Sequence, residues 1–202
     1  MPLDGAVALT FDDGPHPRAT PRVLELLAAA GQHATFFLVG EQVRRHRALA
    51  AEIAAAGHAI AIHGDTHRCL LRLTPRALSD DLDRAEDTIG PPAGGLHRAP
   101  YGIYSAWAPA AIRRRGWTPL LWSRWGRDWR ASATPQSVAA EVTRELHAGD
   151  VLLLHDSDSY SAPGSWRTTL AALPAVLDAI AAAGLFSARL GQDSDPAPVS
   201  GR

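Results

Sequence analysis

Short apolar runs alternate with longer segments of helical period along nearly the whole chain. The runs AVALTF (6–11), ATFFLV (34–39), HAIAIH (58–63), LHRAPY (96–101), TPLLWS (118–123), DVLLLH (150–155) and FSARL (186–190) read as strands. The stretches 20–30, 41–56, 74–89, 105–115, 135–147 and 166–183 read as helices. Thr20-Pro21, Thr74-Pro75 and Thr134-Pro135 each place a capping residue before a helix-starting proline. Gly31, Gly57, Gly116 and Gly184 follow helical runs, where a left-handed residue is expected. Strands this apolar need cover on both faces, and strand–helix alternation makes neighbours parallel. The fold class is therefore α/β, a parallel sheet covered on both faces or closed into a barrel. Without repeats or a linker, residues 1–191 are expected to form one domain and 192–202 a disordered tail.

Several function classes fall away on composition. The net charge is −1, with 20 basic residues, all Arg, against 21 acidic ones, so no general attraction to nucleic acid or membrane is expected. The runs RRHR (44–47) and RRR (113–115) have no Gly-rich cradle for phosphate and fit solvated helix faces. Cys69 stands alone, so no intrachain disulfide can form. The N-terminus has no basic segment followed by an apolar core, and no stretch is apolar enough to span a bilayer. The expected location is cytoplasmic, or secreted if a leader was trimmed.

The ionisable residues are not scattered at random over this pattern. Asp12, Asp13, His63, His67, Arg98, Asp128 and His155 all lie at or just after strand C-terminal ends. A barrel gathers those ends on one face. A doubly wound sheet would gather fewer, and at least five strand ends contribute here, which favours the barrel. In HGDTH, His63 and His67 are four apart, so one turn or a compact loop can aim both imidazoles at one point. One carboxylate from TFDDG completes a set of two His and one Asp, which leaves coordination positions open as in a catalytic metal site. The other carboxylate is then free to act as a base. Residue chemistry alone does not say which of Asp12 and Asp13 does which. The gain from a metal is large: bound zinc lowers the pKa of water from 15.7 to about 7. That drop is worth on the order of 12 kcal/mol at about 1.36 kcal/mol per unit.

Three further stretches supply partners. In RAPYG, Arg98 could pair with the base, while Pro100 and Gly102 set a backbone path that could turn the Tyr101 N–H toward an oxyanion. GRDW supplies Asp128 and Trp129, and VLLLHD ends on His155. A carboxylate beside His155 would keep it protonated, as a general acid requires. Trp122 reads as core, whereas Trp125, Trp129 and Trp166 could wall a pocket or stack on sugar rings. His16, His33, His46, His58, His97 and His147 take structural readings.

Taken together and in order, TFDDG, HGDTH, RAPYG, GRDW and LLH (153–155) resemble the five motifs of the polysaccharide deacetylases with a NodB-homology domain, carbohydrate esterase family 4. The likeness runs from about residue 6 to about residue 190. It implies a deformed (β/α) barrel of about seven parallel strands and one divalent cation, Zn2+ or Co2+. It assigns Asp13, His63 and His67 as metal ligands and Asp12 as the base, oriented by Arg98. It makes His155 the acid, tuned by Asp128, and places the Tyr101 amide at the oxyanion and Leu153 and Trp129 around the acetyl methyl. Metal-bound water would attack an N- or O-linked acetyl group of a sugar or oligosaccharide. Two positions depart from the family pattern. Gly64 stands where a hydroxyl residue is common, and Trp125 where a further Asp often stands.

Three other readings share these residues. One is a hydrolase of small cyclic imides or amides on the same scaffold, and another a glycan-binding domain without turnover. The third is a non-heme iron oxygenase, since two His and a carboxylate also suit Fe(II). The proton carriers Asp12 and His155 favour hydrolysis over the last two.

Overall fold

The strands are β1 (Ala6–Asp12), β2 (Thr35–Leu38), β3 (Ala59–Ile62), β4 (Leu96–His97), β5 (Thr118–Pro119), β6 (Arg124–Trp125), β7 (Val151–His155) and β8 (Phe186–Ser187). The structure, a computed structural model, describes residues 5–92 and 95–191. The helices are α1 (Thr20–Ala29), α2 (Gly40–Arg45), α3 (Arg47–Ala55), α4 (Pro75–Ile89), α5 (Ala108–Arg113), α6 (Pro135–Val142) and α7 (Ser165–Ala182). Seven strands run in the order β5-β4-β3-β2-β1-β7-β6, and β8 joins β1 off that path. Every pairing is parallel. Among the described residues no pairing joins the edges β5 and β6, so the barrel is deformed and incompletely closed. The expected tail 192–202 lies outside the described residues, as do 1–4. No described helix is long and apolar enough to cross a membrane.

Side-chain alternation on β1 explains the layers. Val7, Leu9 and Phe11 face the helices and pack with Val23 and Leu27 of α1 and with Leu173 and Val176 of α7. Each such side chain stabilises the fold by about 1.5–3 kcal/mol on burial. Ala8 faces the barrel interior with Phe37 and Ala61. On the same parity, Thr10 and Asp12 follow Ala8 inward. Phe37 of β2 and Leu153 of β7 do likewise, and each row ends at the mouth of the barrel.

Several boundaries differ from expectation. The helix expected over 41–56 breaks at His46, whose φ of −137° and ψ of 50° leave the helical region. The strand LHRAPY stops at His97: the Arg98 N–H still reaches the Ile62 carbonyl, but the Ala99 N–H bonds the Tyr104 hydroxyl instead of β3. TPLLWS shortens to two residues and a further strand, β6, follows it. The helix expected over 135–147 ends at Val142. Thr74 and Thr134 cap their helices through Ala77 and Ser137. Thr20 does not: it is the first helical residue, and its hydroxyl is committed to His16 and Asp156 instead.

Candidate active site

Adjacent strand residues point to opposite faces, yet Asp12 and Asp13 both reach the barrel mouth. Asp12 points inward as the last residue of β1. Asp13 follows with a left-handed φ of 76°, which breaks the alternation and brings its carboxylate back to the same side. Backbone strain of this kind concentrates at functional sites.

The two carboxylates have different neighbours. Asp13 Oδ1 lies 3.5 Å from His63 Nε2 and 3.1 Å from His67 Nε2. These three residues offer ligand atoms within 4.8 Å of one another, all on buried side chains. Asp13 Oδ1 itself has no hydrogen-bond partner. Asp12 Oδ1 accepts a hydrogen bond from Arg98 at 2.7 Å, and its Oδ2 stands 3.7 Å from His63 Nε2. Burial opposes the ionisation of Asp13, but the imidazoles of His63 and His67 and the charge of His155 hold its carboxyl well below the ordinary range. Burial lowers the pKa of His67, which keeps its ring neutral and its lone pair free.

Arg98 is fully buried in the barrel interior. Its guanidinium lies 3.9 Å from the centre of the Phe37 ring and donates to Thr10 Oγ1 at 2.8 Å as well as to Asp12. Its backbone carbonyl faces His63 Nδ1 at 2.9 Å. Across the mouth, Asp128 is completely buried, accepting from the His155 backbone N–H and from Thr169 Oγ1, each at 2.7 Å. Its other oxygen meets His155 Nδ1 at 2.8 Å, which leaves Nε2 as the imidazole's free nitrogen. Burial alone would lower the His155 pKa, but the Asp128 charge and hydrogen bond raise it to about 10. Asp128 thus favours the protonated form of His155.

A cavity of about 190 Å³ lies over these groups, walled by Tyr101, Trp122, Trp125, Trp129, Leu153 and Tyr160. Tyr101 has a left-handed φ of 61° at its lip. Trp122 does not belong to the core as expected: it is half-buried and forms an aromatic file with Trp125 and Trp129, with centroids 5.8 and 5.6 Å apart. Trp166 stands apart from the cavity beside His16 and Arg18.

Sequence reasoning missed the braces. Gly64 has a φ of 83°, and a Cβ there would come within 3.2 Å of Asp81 Oδ2. Asp81, on α4, accepts from the Asp65 N–H at 2.9 Å and from Thr66 Oγ1 at 3.2 Å. The HGDTH loop is thus held from outside by Asp81. Asp65 is clamped in turn by Arg44 and Arg84. Thr10, Asp156 and Tyr160 also escaped notice, because only the fold brings Thr10 to Arg98, Asp156 to Thr20 and Tyr160 to the cavity wall.

The profile of the family described as polysaccharide deacetylase matches residues 2–120. The chain belongs to the polysaccharide deacetylase family. A chitooligosaccharide deacetylase of Bradyrhizobium sp. (strain ANU 289) is 37% identical over 155 residues, 75% of this chain and 70% of that one. A peptidoglycan-N-acetylglucosamine deacetylase of Bacillus cereus is 34% identical over 178 residues, 85% of this chain and 79% of that one. Among solved structures, a family 4 carbohydrate esterase from Streptomyces lividans in complex with acetate has a TM-score of 0.82 at 30% identity. It covers 96% of this chain and 99% of its own. As a polysaccharide deacetylase, the chain is a hydrolase of the carbohydrate deacetylase class, with the fold expected from its motifs.

Proposed function

We propose that this protein removes N-acetyl groups from oligosaccharides that contain N-acetylglucosamine, using one divalent cation. The chitooligosaccharide and peptidoglycan deacetylases among its relatives support the substrate class. The observation that carries the proposal is the set of groups that line one cavity. Asp12, fixed by Arg98, and His155, held twice by Asp128, are paired side by side on β1 and β7, and Asp13, His63 and His67 line the same cavity.

The residues present fit a cation. Asp13 Oδ1 is buried and without a hydrogen-bond partner, and two imidazole nitrogens converge on it. Two nitrogens and one carboxylate oxygen form a donor set suited to Zn2+, with Co2+ as a substitute. Asp13, His63 and His67 would hold the ion. When bound, it supplies a Lewis acid that acidifies water and polarises the acetyl carbonyl.

Asp12 takes a proton from the attacking water at Oδ2, the oxygen that Arg98 leaves free. The water oxygen bonds to the acetyl carbon. His155 then gives its Nε2 proton to the sugar nitrogen as the C–N bond breaks, and acetate and a free amine leave. The Tyr101 peptide N–H donates to the oxyanion. Leu153 and Trp129 enclose the methyl group.

Acetate release from chitin oligomers by the zinc-loaded protein tests the proposal. Equal yields of acetate and new amine are expected. No release from chitin oligomers or peptidoglycan fragments would overturn it.

A further inference from the structure

His63 and His67 are held in place by different means. His63 fixes its ring through Nδ1 on the Arg98 carbonyl at 2.9 Å. His67 Nδ1 is buried and has no partner. Metal-ligating histidines almost always have that second nitrogen engaged, and the partner sets the plane of the ring. A different contact stands in for it here. The Tyr160 ring lies flat on the His67 ring, with centroids 4.0 Å apart and planes at 9°. Tyr101 meets His67 edge-on at 4.7 Å.

Tyr160 is itself anchored. Its hydroxyl donates to Glu41 and accepts from Gln42 Nε2 at 3.0 Å, both on α2. Its loop is pinned by the Gly164 N–H on Asp158 Oδ2 at 2.6 Å and the Ser159 N–H on Ser157 Oγ at 3.1 Å. Glu41 in turn donates its backbone N–H to the Asp65 carbonyl at 2.8 Å, within the HGDTH loop. A fixed aromatic face therefore rests on an imidazole that no hydrogen bond orients through Nδ1. Close ring contact forgoes many dispersion contacts if the imidazole turns, which resists rotation of that ring.

We infer that Tyr160 is a positioning residue that sets the plane of the His67 ring for cation binding. The inference rests on the reading of Asp13, His63 and His67 as the cation site. A residue that only filled space would support the fold without tuning metal affinity.

Protein stripped with a chelator is titrated with Co2+, followed by calorimetry and by visible absorption of the ion, while thermal unfolding of the stripped protein is recorded separately. The proteins are wild type, Tyr160→Phe, Tyr160→Leu and His67→Ala. Tyr160→Leu should weaken Co2+ binding by about tenfold or more and alter the absorption bands. Tyr160→Phe, which keeps the ring, should stay close to wild type in both. Tyr160→Met, equally ringless, replaces Tyr160→Leu if the latter does not fold. Wild-type affinity and bands in a folded ringless variant would overturn the inference, as would Tyr160→Phe binding as weakly as Tyr160→Leu. If His67→Ala bound Co2+ like wild type, the cation site itself would be wrong, and the role of Tyr160 would fall with it.

Discussion

The backbone carbonyl of Arg98 accepts a hydrogen bond from Nδ1 of His63 at 2.9 Å. The guanidinium of the same Arg98 pairs with Asp12 at 2.7 Å. One residue thus orients a proposed metal ligand through its main chain and the proposed base through its side chain. The two functions are separable by mutation. Arg98→Met leaves the carbonyl in place and strands a buried carboxylate. Stability should fall by about 3–5 kcal/mol in urea denaturation, and acetate release should collapse. Co2+ affinity should stay near wild type in the folded variant, and its loss would mean that the main-chain contact does not act independently.

Asp12 and Asp13 should separate as cleanly. Asp12→Asn is expected to keep Co2+ bound and to lower the chemical rate by about 10²-fold or more. Asp13→Asn should lose metal and activity together, because its Oδ1 is the oxygen on which both imidazoles converge. Calorimetry with Co2+ beside an acetate assay reads both outcomes, and the opposite pattern would exchange the two roles.

His155 predicts an alkaline limb in the pH–rate profile. Its pKa stands raised from 6.5 to about 10 by Asp128, against the effect of burial. The acid-competent form is present below that pKa and is lost as pH rises through it. Asp128→Asn removes the charge, so the limb should move down toward the ordinary histidine range. A bound dication pulls His155 down in both proteins, so the difference between them is the readout. Superimposable profiles would remove Asp128 from its role.

Asp156 sets a pH dependence of stability. It is buried beneath Gly14, where an added Cβ would collide with Oδ1, and only its other oxygen has a side-chain donor, Thr20. Burial, aided by the Asp13 charge, pushes its pKa from 3.8 up to about 7. The folded chain then holds a proton that the unfolded chain releases. Its contribution is fully present below pH 3.8 and is lost as pH rises through about 7. The slope approaches about 1.36 kcal/mol per pH unit. Asp156→Asn should flatten this slope in urea denaturation of the metal-free protein, and parallel curves for the two proteins would contradict the assignment.

The strand ends and their chemistry were legible because hydrophobic period and motif order are local properties. TFDDG and LLH carry the ends of buried strands and HGDTH directly follows one, so their residues could be placed at the barrel mouth from the sequence. The division of labour between Asp12 and Asp13 was not readable from residue chemistry. It depends on the left-handed turn at Asp13 and on Arg98, 86 residues further along the chain. Asp81 and Tyr160 were invisible for the same reason: each acts on the HGDTH loop from another element. Trp122 was misplaced because its apolar neighbours Leu120 and Leu121 mimic a buried strand, whereas the chain there leaves the sheet after Pro119. Thr20 looked like a cap, and the demand of buried Asp156 for a donor drew it away.

Acetate release from chitin oligomers, measured before chelation, after it and after reloading with Zn2+, tests the central claim most directly. Activity should vanish with the chelator and return with the ion, in step with binding to Asp13, His63 and His67. Undiminished release from fully stripped protein would contradict it.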